Sequence, residues 1–229
     1  MKILFNRQYR CCGCEMLYKE SDVKYTYKRS CICNNCYAGF YPYTQEAYYE
    51  ASESVEFLAP IFRYTGVYRK IFLNYKFNSN IASGNLLGKA MYDAICNRDA
   101  FSGYSYIVPV AASKKRYNDR GYNQSELLAK YVSSAIDLPV LNALKRIKHS
   151  VPQSRLSVNM RFKNVKGVFD CDYPFLNENV ILFDDIYTTG VTASECAKVL
   201  HRAGANKVCI IAGAYNAPRE GKDRGIHIF

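Results

Sequence analysis

The sequence contains no apolar run long enough to cross a membrane, and its first ten residues lack the apolar core of a signal peptide. We therefore expect a cytoplasmic protein that does not span a membrane. Acidic residues are in deficit, with 20 Asp and Glu against 31 Lys and Arg and a formal net charge of +11. Excess positive charge beside 21 tyrosines favours a polyanionic partner, single-stranded nucleic acid included. A surface that is merely solvated has the same composition.

Cysteine is concentrated near the N-terminus, where six of the ten cysteines fall between Cys11 and Cys36. Four of them form two C-x-x-C pairs, a spacing typical of a zinc site because each pair presents two thiolates to one tetrahedral ion. The predicted ligands are Cys11, Cys14, Cys33 and Cys36. Cys12 and Cys31 remain as alternative ligands or as a pair. The alternative, a disulfide framework, would require an oxidising compartment, and nothing in the N-terminal sequence indicates one.

The 229 residues suffice for one α/β domain and a small module. We predict a zinc-ribbon-like module with a connector over residues 1–55 and a second domain over residues 56–229. Zn²⁺ held by four cysteines has no open coordination position, so we expect it to stabilise the module without catalysing a reaction.

The most informative stretch begins with an apolar run, Val180 to Phe183, which is typical of a buried strand. Asp184 and Asp185 follow directly, and a Thr-Thr-Gly turn at 188–190 leads into residues with helical spacing. Gly204 stands where a C-terminal helix cap is expected. The sequence thus predicts a strand, an acidic pair, a turn and a helix in immediate succession.

This succession has the chemistry of a ribose phosphate site. The N–H groups of the turn and of the helix N-terminus favour phosphate. The two carboxylates would repel phosphate, but they suit hydroxyl groups and a divalent cation. The alternative is an ordinary strand–turn–helix whose acidic residues cap the helix.

Residues 180–192 resemble the 5-phosphoribosyl 1-pyrophosphate (PRPP) motif of type I phosphoribosyltransferases. The resemblance implies an α/β domain with a mainly parallel central sheet, and PRPP bound with Mg²⁺. It also implies that Asp184 and Asp185 hold the ribose hydroxyls. The 5′-phosphate would be wrapped by Thr188, Thr189, Gly190, Val191 and Thr192.

A second motif follows a strand predicted over Tyr106 to Val110. We expect a basic loop there, and in a doubly wound sheet it would face the same cleft as residues 184–192. Its cations would meet the pyrophosphate, and its glycine would allow close backbone approach. The residues of this predicted loop are Lys114, Lys115, Arg116, Arg120 and Gly121. A surface loop with a few cations is the alternative.

The ordered set of motifs resembles the ComF family of ComFC-like proteins. The chain keeps that pattern at Pro109, Val110, Arg116, Arg120, Gly121, Asn123 and Gln124, at Tyr75-Lys76-Phe77, and at Ser150, Gln153, Arg161, Asn164 and Phe169. It departs at Ala111 and Ala112, where the family has Pro-Leu, and at Tyr122, where the family has Phe.

The ComF resemblance implies a competence protein that assists the uptake or processing of single-stranded DNA in natural transformation and contains a PRPP pocket. The zinc module would be free to dock a partner such as a DNA-translocation motor. The alternative is an active Mg²⁺-dependent phosphoribosyltransferase that transfers phosphoribosyl from PRPP to a nitrogen acceptor. The sequence identifies no residues that would recognise an acceptor.

Two further segments are rich in cations. Residues 57–77 mix basic and aromatic residues, which indicates either a track for nucleic acid or a helix with one apolar face. Residues 145–167 are polar and match the position of the mobile phosphoribosyltransferase loop that closes over PRPP, although a disordered linker has the same composition. A helix is predicted over residues 81–96 and a central strand over residues 207–214.

Overall fold

The computed structural model describes residues 7–43, 49–50, 54–95, 98–148 and 165–216. The chain begins with a small four-stranded sheet in the order β2-β1-β4-β3. Its elements are β1 (Tyr9–Cys11), β2 (Leu17–Tyr18), β3 (Val23–Tyr27), β4 (Ser30–Cys33) and the short helix α1 (Asn34–Ala38). β3 and β4 form an antiparallel hairpin that leads into the second cysteine pair.

A five-stranded sheet forms the centre of the remaining chain. Its strands are β5 (Tyr49–Glu50), β6 (Phe57–Arg63), β7 (Tyr106–Pro109), β10 (Val180–Tyr187) and β11 (Val208–Tyr215), in the order β5-β6-β11-β10-β7. β6, β11, β10 and β7 are mutually parallel, and only β5 runs antiparallel to its neighbour. The predicted α/β class with a mainly parallel central sheet is therefore confirmed.

Both faces of this sheet are covered, which explains why its strands are continuous apolar runs. One face packs against α2 (Gly66–Phe77), α3 (Ile81–Ala94) and α5 (Gln124–Ile136). The other packs against α6 (Val191–Arg202) and a two-stranded antiparallel sheet of β8 (Leu144–Arg146) and β9 (Phe169–Cys171). The short helix α4 (Lys114–Arg120) follows β7.

The four-cysteine module shares its apolar core with the first of these faces. Tyr25 and Ile32 are buried in the same cluster as side chains of α2 and α3. Polar contacts reinforce the junction, because Tyr25 Oη donates to Asp93 Oδ2 at 2.7 Å and Lys89 Nζ donates to the Thr26 carbonyl at 2.6 Å. The predicted division of the chain near residue 55 stays a prediction.

The structure corrects two expectations about secondary structure. Residues 57–77 are not one helical segment, because Phe57–Arg63 forms the sheet strand β6 before α2 begins. The predicted basic loop is a helix, α4, because Ser113 Oγ accepts from the Arg116 N–H at its start and Gly121, with φ of +79°, ends it.

The cation-rich stretch 145–167 is only partly described. Lys145 and Arg146 lie in β8 and not in a loop. Residues 149–164 lie outside the described residues, and so do the family positions Ser150, Gln153, Arg161 and Asn164. In the described part of the chain, no helix has both the length and the apolar character needed to cross a bilayer.

Candidate phosphoribosyl site and metal centre

The acidic pair lies inside strand β10 and not after it. β10 runs from Val180 to Tyr187 because its pairing with β11 continues through Asp184↔Ala212 to Tyr187↔Tyr215. The parallel neighbour β7 ends opposite Phe183, where Pro109 is its partner. The acidic pair and the segment leading to α4 therefore lie at the same edge of the sheet, as strand direction requires.

The carboxyl groups of Asp184 and Asp185 lie close enough to interact directly. Before the pair, side chains alternate between the two faces of the sheet: Ile181 and Phe183 belong to the core on the α2 face, whereas Val180 and Leu182 belong to the core on the α6 face. The two carboxylates therefore form one acidic site at the end of this alternating run.

Asp185 forms an ion pair with a lysine that is 109 positions away in the sequence. Lys76 Nζ lies 3.3 Å from Asp185 Oδ2, and both side chains are largely buried, with 22% and 12% of their surfaces exposed. The other carboxylate oxygen accepts the N–H of Ile186 at 2.8 Å. Lys76, in the last turn of α2, therefore brings a positive charge to the acidic pair.

The surroundings of Asp184 disfavour the ionised form of its carboxyl group. Burial raises the pKa of this carboxyl well above its usual value, and the neighbouring charge of Asp185 raises it further, while Lys76 acts in the opposite direction. A carboxyl with a raised pKa is a candidate proton acceptor or donor near neutral pH.

The turn after β10 has the features of an anion site. Gly190 has φ of +74° and precedes α6, whose N-terminus receives no side-chain cap. The first N–H groups of a helix have no acceptor within the helix and favour an anion, and here the N–H of Ser194 already donates to the Gly190 carbonyl at 2.8 Å. Thr189 Oγ1 is buried and has no hydrogen-bond partner among the described residues. A buried hydroxyl without a partner is costly, and a phosphate oxygen would satisfy it.

The residues predicted for the pyrophosphate divide into two groups. Lys114, Lys115 and Arg116 are exposed on α4. Arg120 instead turns towards the protein, where its guanidinium donates to the Lys76 carbonyl and to Gln124 Oε1, the latter at 2.6 Å. Gly121 is the left-handed residue that ends α4, with open space around its α-carbon.

Two residues of this site were not assigned a role from the sequence. Gln124 is buried and joins α5 to α2, because its Nε2 donates to the Tyr75 carbonyl at 2.7 Å and its own carbonyl accepts from Tyr75 Oη at 2.8 Å. The sequence gives Lys76 no specific role, because its segment has the composition of an ordinary amphipathic helix. The match of both positions to the ComF pattern was the signal available.

The four predicted zinc ligands come together. The Sγ atoms of Cys11, Cys14, Cys33 and Cys36 all lie within 4.8 Å of one another. Tetrahedral Zn²⁺ with Zn–S bonds of about 2.3 Å places its sulfur atoms roughly 3.8 Å apart, and Cys14 Sγ lies 4.0 Å from Cys33 Sγ. Backbone N–H groups also point at the sulfur atoms, as those of Gly13 and Cys33 do towards Cys11 Sγ, each at 3.4 Å. The cluster therefore fits one structural metal ion.

Cys12 and Cys31 lie outside this cluster, and both are free thiols. Cys31 is buried, with its Sγ 3.7 Å from the Tyr9 carbonyl. The expectation that one of them could replace a ligand therefore finds no support in the geometry.

Comparison with curated proteins finds relatives that are named for competence and for DNA utilization. The chain is 33% identical over 145 residues to Competence protein F of Haemophilus influenzae, with 58% of this chain and 62% of the relative aligned. It is 34% identical over 103 residues to DNA utilization protein YhgH of Escherichia coli K12, with 44% and 45% aligned. Competence protein ComFC of Streptococcus pneumoniae is 28% identical over 155 residues, with 65% and 63% aligned. The chain thus spans about half to two thirds of the length of these relatives, and no family model matches it.

Comparison with solved structures finds phosphoribosyltransferases at low similarity. The Bacillus subtilis glutamine PRPP amidotransferase covers 62% of this chain, with 30% of its own length aligned, 18% identity and a TM-score of 0.39. A Staphylococcus aureus hypoxanthine phosphoribosyltransferase covers 61%, with 68% of its own length aligned, 16% identity and a TM-score of 0.35. The fold is assigned from the strand order described above. By sequence, the chain is a homologue of the proteins named Competence protein F, ComFC and YhgH.

Proposed function

We propose that this chain is a ComF-type protein that binds PRPP at the edge of its sheet and assists the handling of single-stranded DNA in the cytoplasm during DNA uptake. One observation carries the first half of the proposal. The buried Thr189 hydroxyl lacks a partner at the uncapped start of α6, directly after the acidic pair of β10. The turn and the helix N-terminus suit a phosphate group, and the two carboxylates suit a diol. The site therefore matches a ligand that carries both.

Each part of the site has a separate task in this proposal. The turn Thr188–Thr189–Gly190 and the first N–H groups of α6 receive the 5′-phosphate, together with Thr192. Asp184 and Asp185 accept hydrogen bonds from the ribose hydroxyls and favour Mg²⁺, which would offset the negative charge of the pyrophosphate. The cations of α4 attract the pyrophosphate to this edge of the sheet.

Zn²⁺ has a structural task in this proposal. Four cysteine sulfurs leave no open coordination position, so the ion would brace the module against α2 and α3 and take no part in a reaction. The module remains available to dock a partner protein of the DNA-translocation machinery.

Calorimetric titration of the zinc-loaded protein with PRPP and Mg²⁺ tests the site. We expect saturable binding by the wild type and none by the double variant Asp184→Asn/Asp185→Asn. Lys198→Met, a change on the exposed side of α6, is the matched control and should bind as the wild type does. Wild-type protein that binds no PRPP would overturn the proposed site.

Catalytic turnover is the second candidate function, and the raised pKa of Asp184 is the observation that favours it. A carboxylate whose pKa lies nearer neutrality can take a proton from a nitrogen nucleophile as the bond to the ribose C1 forms and pyrophosphate leaves. The rest of the rate enhancement would come from positioning of the reactants and from stabilisation of the charge that develops in the transition state. Release of pyrophosphate from PRPP in the presence of candidate amines and bases, lost in Asp184→Asn, would establish it.

The DNA half of the proposal is supported by the names of the relatives and by the net charge of +11. Binding that depends on phosphate contacts weakens steeply with salt, because counterions are released. We expect fluorescence anisotropy with a labelled oligonucleotide to show an affinity that falls at least tenfold between 50 and 200 mM salt, on the order expected for several phosphate contacts. Undetectable or salt-independent binding would count against this half alone.

A further inference from the structure

Lys76 has more hydrogen-bonding capacity than its described neighbours use. Its ammonium group carries three donors, and Asp185 is the one acceptor that it contacts among the described residues. Its other described neighbour is the ring of Phe72, whose centroid lies 5.3 Å from Nζ. A mostly buried lysine with donors to spare beside a ligand-binding carboxylate is placed to contact the ligand itself.

The position of Lys76 is set by side chains that cap the end of α2. The last carbonyls of a helix have no partner within the helix. Here the carbonyl of Tyr75 accepts from Gln124 Nε2 at 2.7 Å, and that of Lys76 accepts from the Arg120 guanidinium. Arg120 is in turn held by Gln124 Oε1 at 2.6 Å. These contacts fix the backbone of Lys76 relative to α4 and α5.

Charge indicates which part of the ligand Lys76 would meet. The ligand's hydroxyls go to the carboxylates and its 5′-phosphate to the turn at 188–190, which leaves the pyrophosphate as the anion without a buried cation. Of the predicted cations, Lys114, Lys115 and Arg116 are exposed on α4, and the Arg120 guanidinium already donates to Gln124 Oε1 and the Lys76 carbonyl. Among the described residues, Lys76 is the lysine that forms an ion pair with the acidic pair, through Asp185.

We infer that Lys76 is the buried cation that binds the pyrophosphate of PRPP, and that Arg120 and Gln124 position it. This inference rests on the proposed PRPP site. Before the ligand arrives, Lys76 neutralises Asp185. When PRPP and its cation bind, the free donors of Lys76 pair with pyrophosphate oxygens. Arg120 is then a positioning residue whose effect is exerted through Lys76.

The test compares two ligands that differ only in the pyrophosphate. PRPP and ribose 5-phosphate, each with Mg²⁺, are titrated calorimetrically into the wild type, Lys76→Met and Lys76→Arg. We expect Lys76→Met to weaken PRPP binding at least tenfold and to change ribose 5-phosphate binding by less than threefold. Lys76→Arg, which keeps the charge, should recover most of the PRPP affinity. The matched control is Lys70→Met on the same helix, since Lys70 makes an exposed ion pair with Glu15.

The possible results separate this inference from the proposed function. Wild-type protein that binds neither ligand would overturn both. Wild-type protein that binds PRPP, with Lys76→Met binding it equally well, would overturn the inference alone. An equal loss for the two ligands in Lys76→Met would also overturn it, because Lys76 would then act on the ribose phosphate.

A double-mutant cycle tests the role of Arg120. If Arg120 acts through Lys76, Arg120→Met lowers the preference for PRPP over ribose 5-phosphate, and the double variant loses no more of that preference than Lys76→Met does. A purely structural role would lower the thermal midpoint and leave the preference unchanged. Additive losses of preference would mean that Arg120 contacts the ligand independently, which contradicts the positioning role.

Discussion

The phenol of Tyr187 occupies the space that a side chain at Gly190 would need, so the turn after β10 closes in this form only with glycine. Gly190 also has φ of +74°, which other residues adopt at a cost. We expect Gly190→Ala to lower the free energy of unfolding by more than about 1 kcal/mol and to weaken PRPP binding. Urea unfolding and calorimetry measure the two effects.

Gly103→Ala is the matched control for this change. Gly103 has a similar φ of +83°, but nothing lies within 4 Å of the position of an added Cβ. Gly103→Ala should therefore lower the free energy of unfolding only through the strain of a positive φ, and it should leave ligand binding unchanged. Equal losses in the two variants would mean that the contact with Tyr187 contributes nothing.

We expect the ionised carboxyl group of Asp184 to destabilise the folded protein. Its pKa is raised by burial and by Asp185, so the folded state holds its proton more tightly than the unfolded chain does. The penalty appears as the pH rises above the unfolded pKa of about 3.9 and is complete above the folded pKa. We expect Asp184→Asn to raise the thermal midpoint at pH 7, with a gain that shrinks as the pH falls towards 4.

This gain in stability makes Asp184→Asn alone a useful addition to the binding experiment, because it leaves the ion pair between Lys76 and Asp185 in place. A variant that is more stable and binds no PRPP has lost a ligand contact and not its fold. A midpoint difference that stays constant between pH 4 and pH 8 would refute the assigned origin of the penalty.

Glu56 should show the opposite dependence on pH. Its pKa is lowered because Lys207 and Tyr104 donate hydrogen bonds to its two oxygens, at 2.8 and 2.6 Å. Such a group stabilises the fold above its unfolded pKa of about 4.3, and that contribution is lost as the pH falls through the folded value. Because Glu56 is partly exposed, we expect Glu56→Gln to cost less than about 1 kcal/mol at pH 7 and nothing near pH 3. Urea unfolding at both pH values checks the sign.

Metal removal is expected to affect more than the four-cysteine module. Tyr25 and Ile32 share a core with α2 and α3, so loss of the ion should loosen packing well beyond residues 7–43. We expect one Zn²⁺ per chain in the wild type and in Cys171→Ser, and none in Cys33→Ser, by elemental analysis. The thermal midpoint of Cys33→Ser should fall towards that of chelator-treated wild type. A zinc-free chain that melts like the loaded one would show that the module is independent.

The structural features that the sequence predicted are those that depend on residues close together in the chain. The apolar run 180–183, the turn at 188–190 and the helix from Val191 follow from apolar spacing and turn chemistry within some twenty positions, although the strand continues through the acidic pair to Tyr187. The cysteine cluster is similar, because the spacing of two C-x-x-C pairs reflects the geometry of one ion. These features needed no knowledge of the packing of distant segments.

What the sequence could not predict depends on how distant elements pack. Lys76 meets Asp185 only because α2 covers one face of the sheet, and nothing near Lys76 in the chain indicates that partner. Arg120 has the composition of an exposed loop cation, yet it turns inward to cap the end of α2. β6 was missed because its apolar residues merge with those of the following helix.

The ion pair between Lys76 and Asp185 has a mechanical consequence. It ties the acidic pair of β10 to α2, while the turn after β10 leads directly into α6 on the other face of the sheet. A ligand whose diol is held by the acids and whose phosphate is held at the start of α6 would connect the two helical layers. Occupancy of the site should then slow amide hydrogen exchange in α2 and α6 together, so that a small ligand at one edge stiffens the domain on both sides.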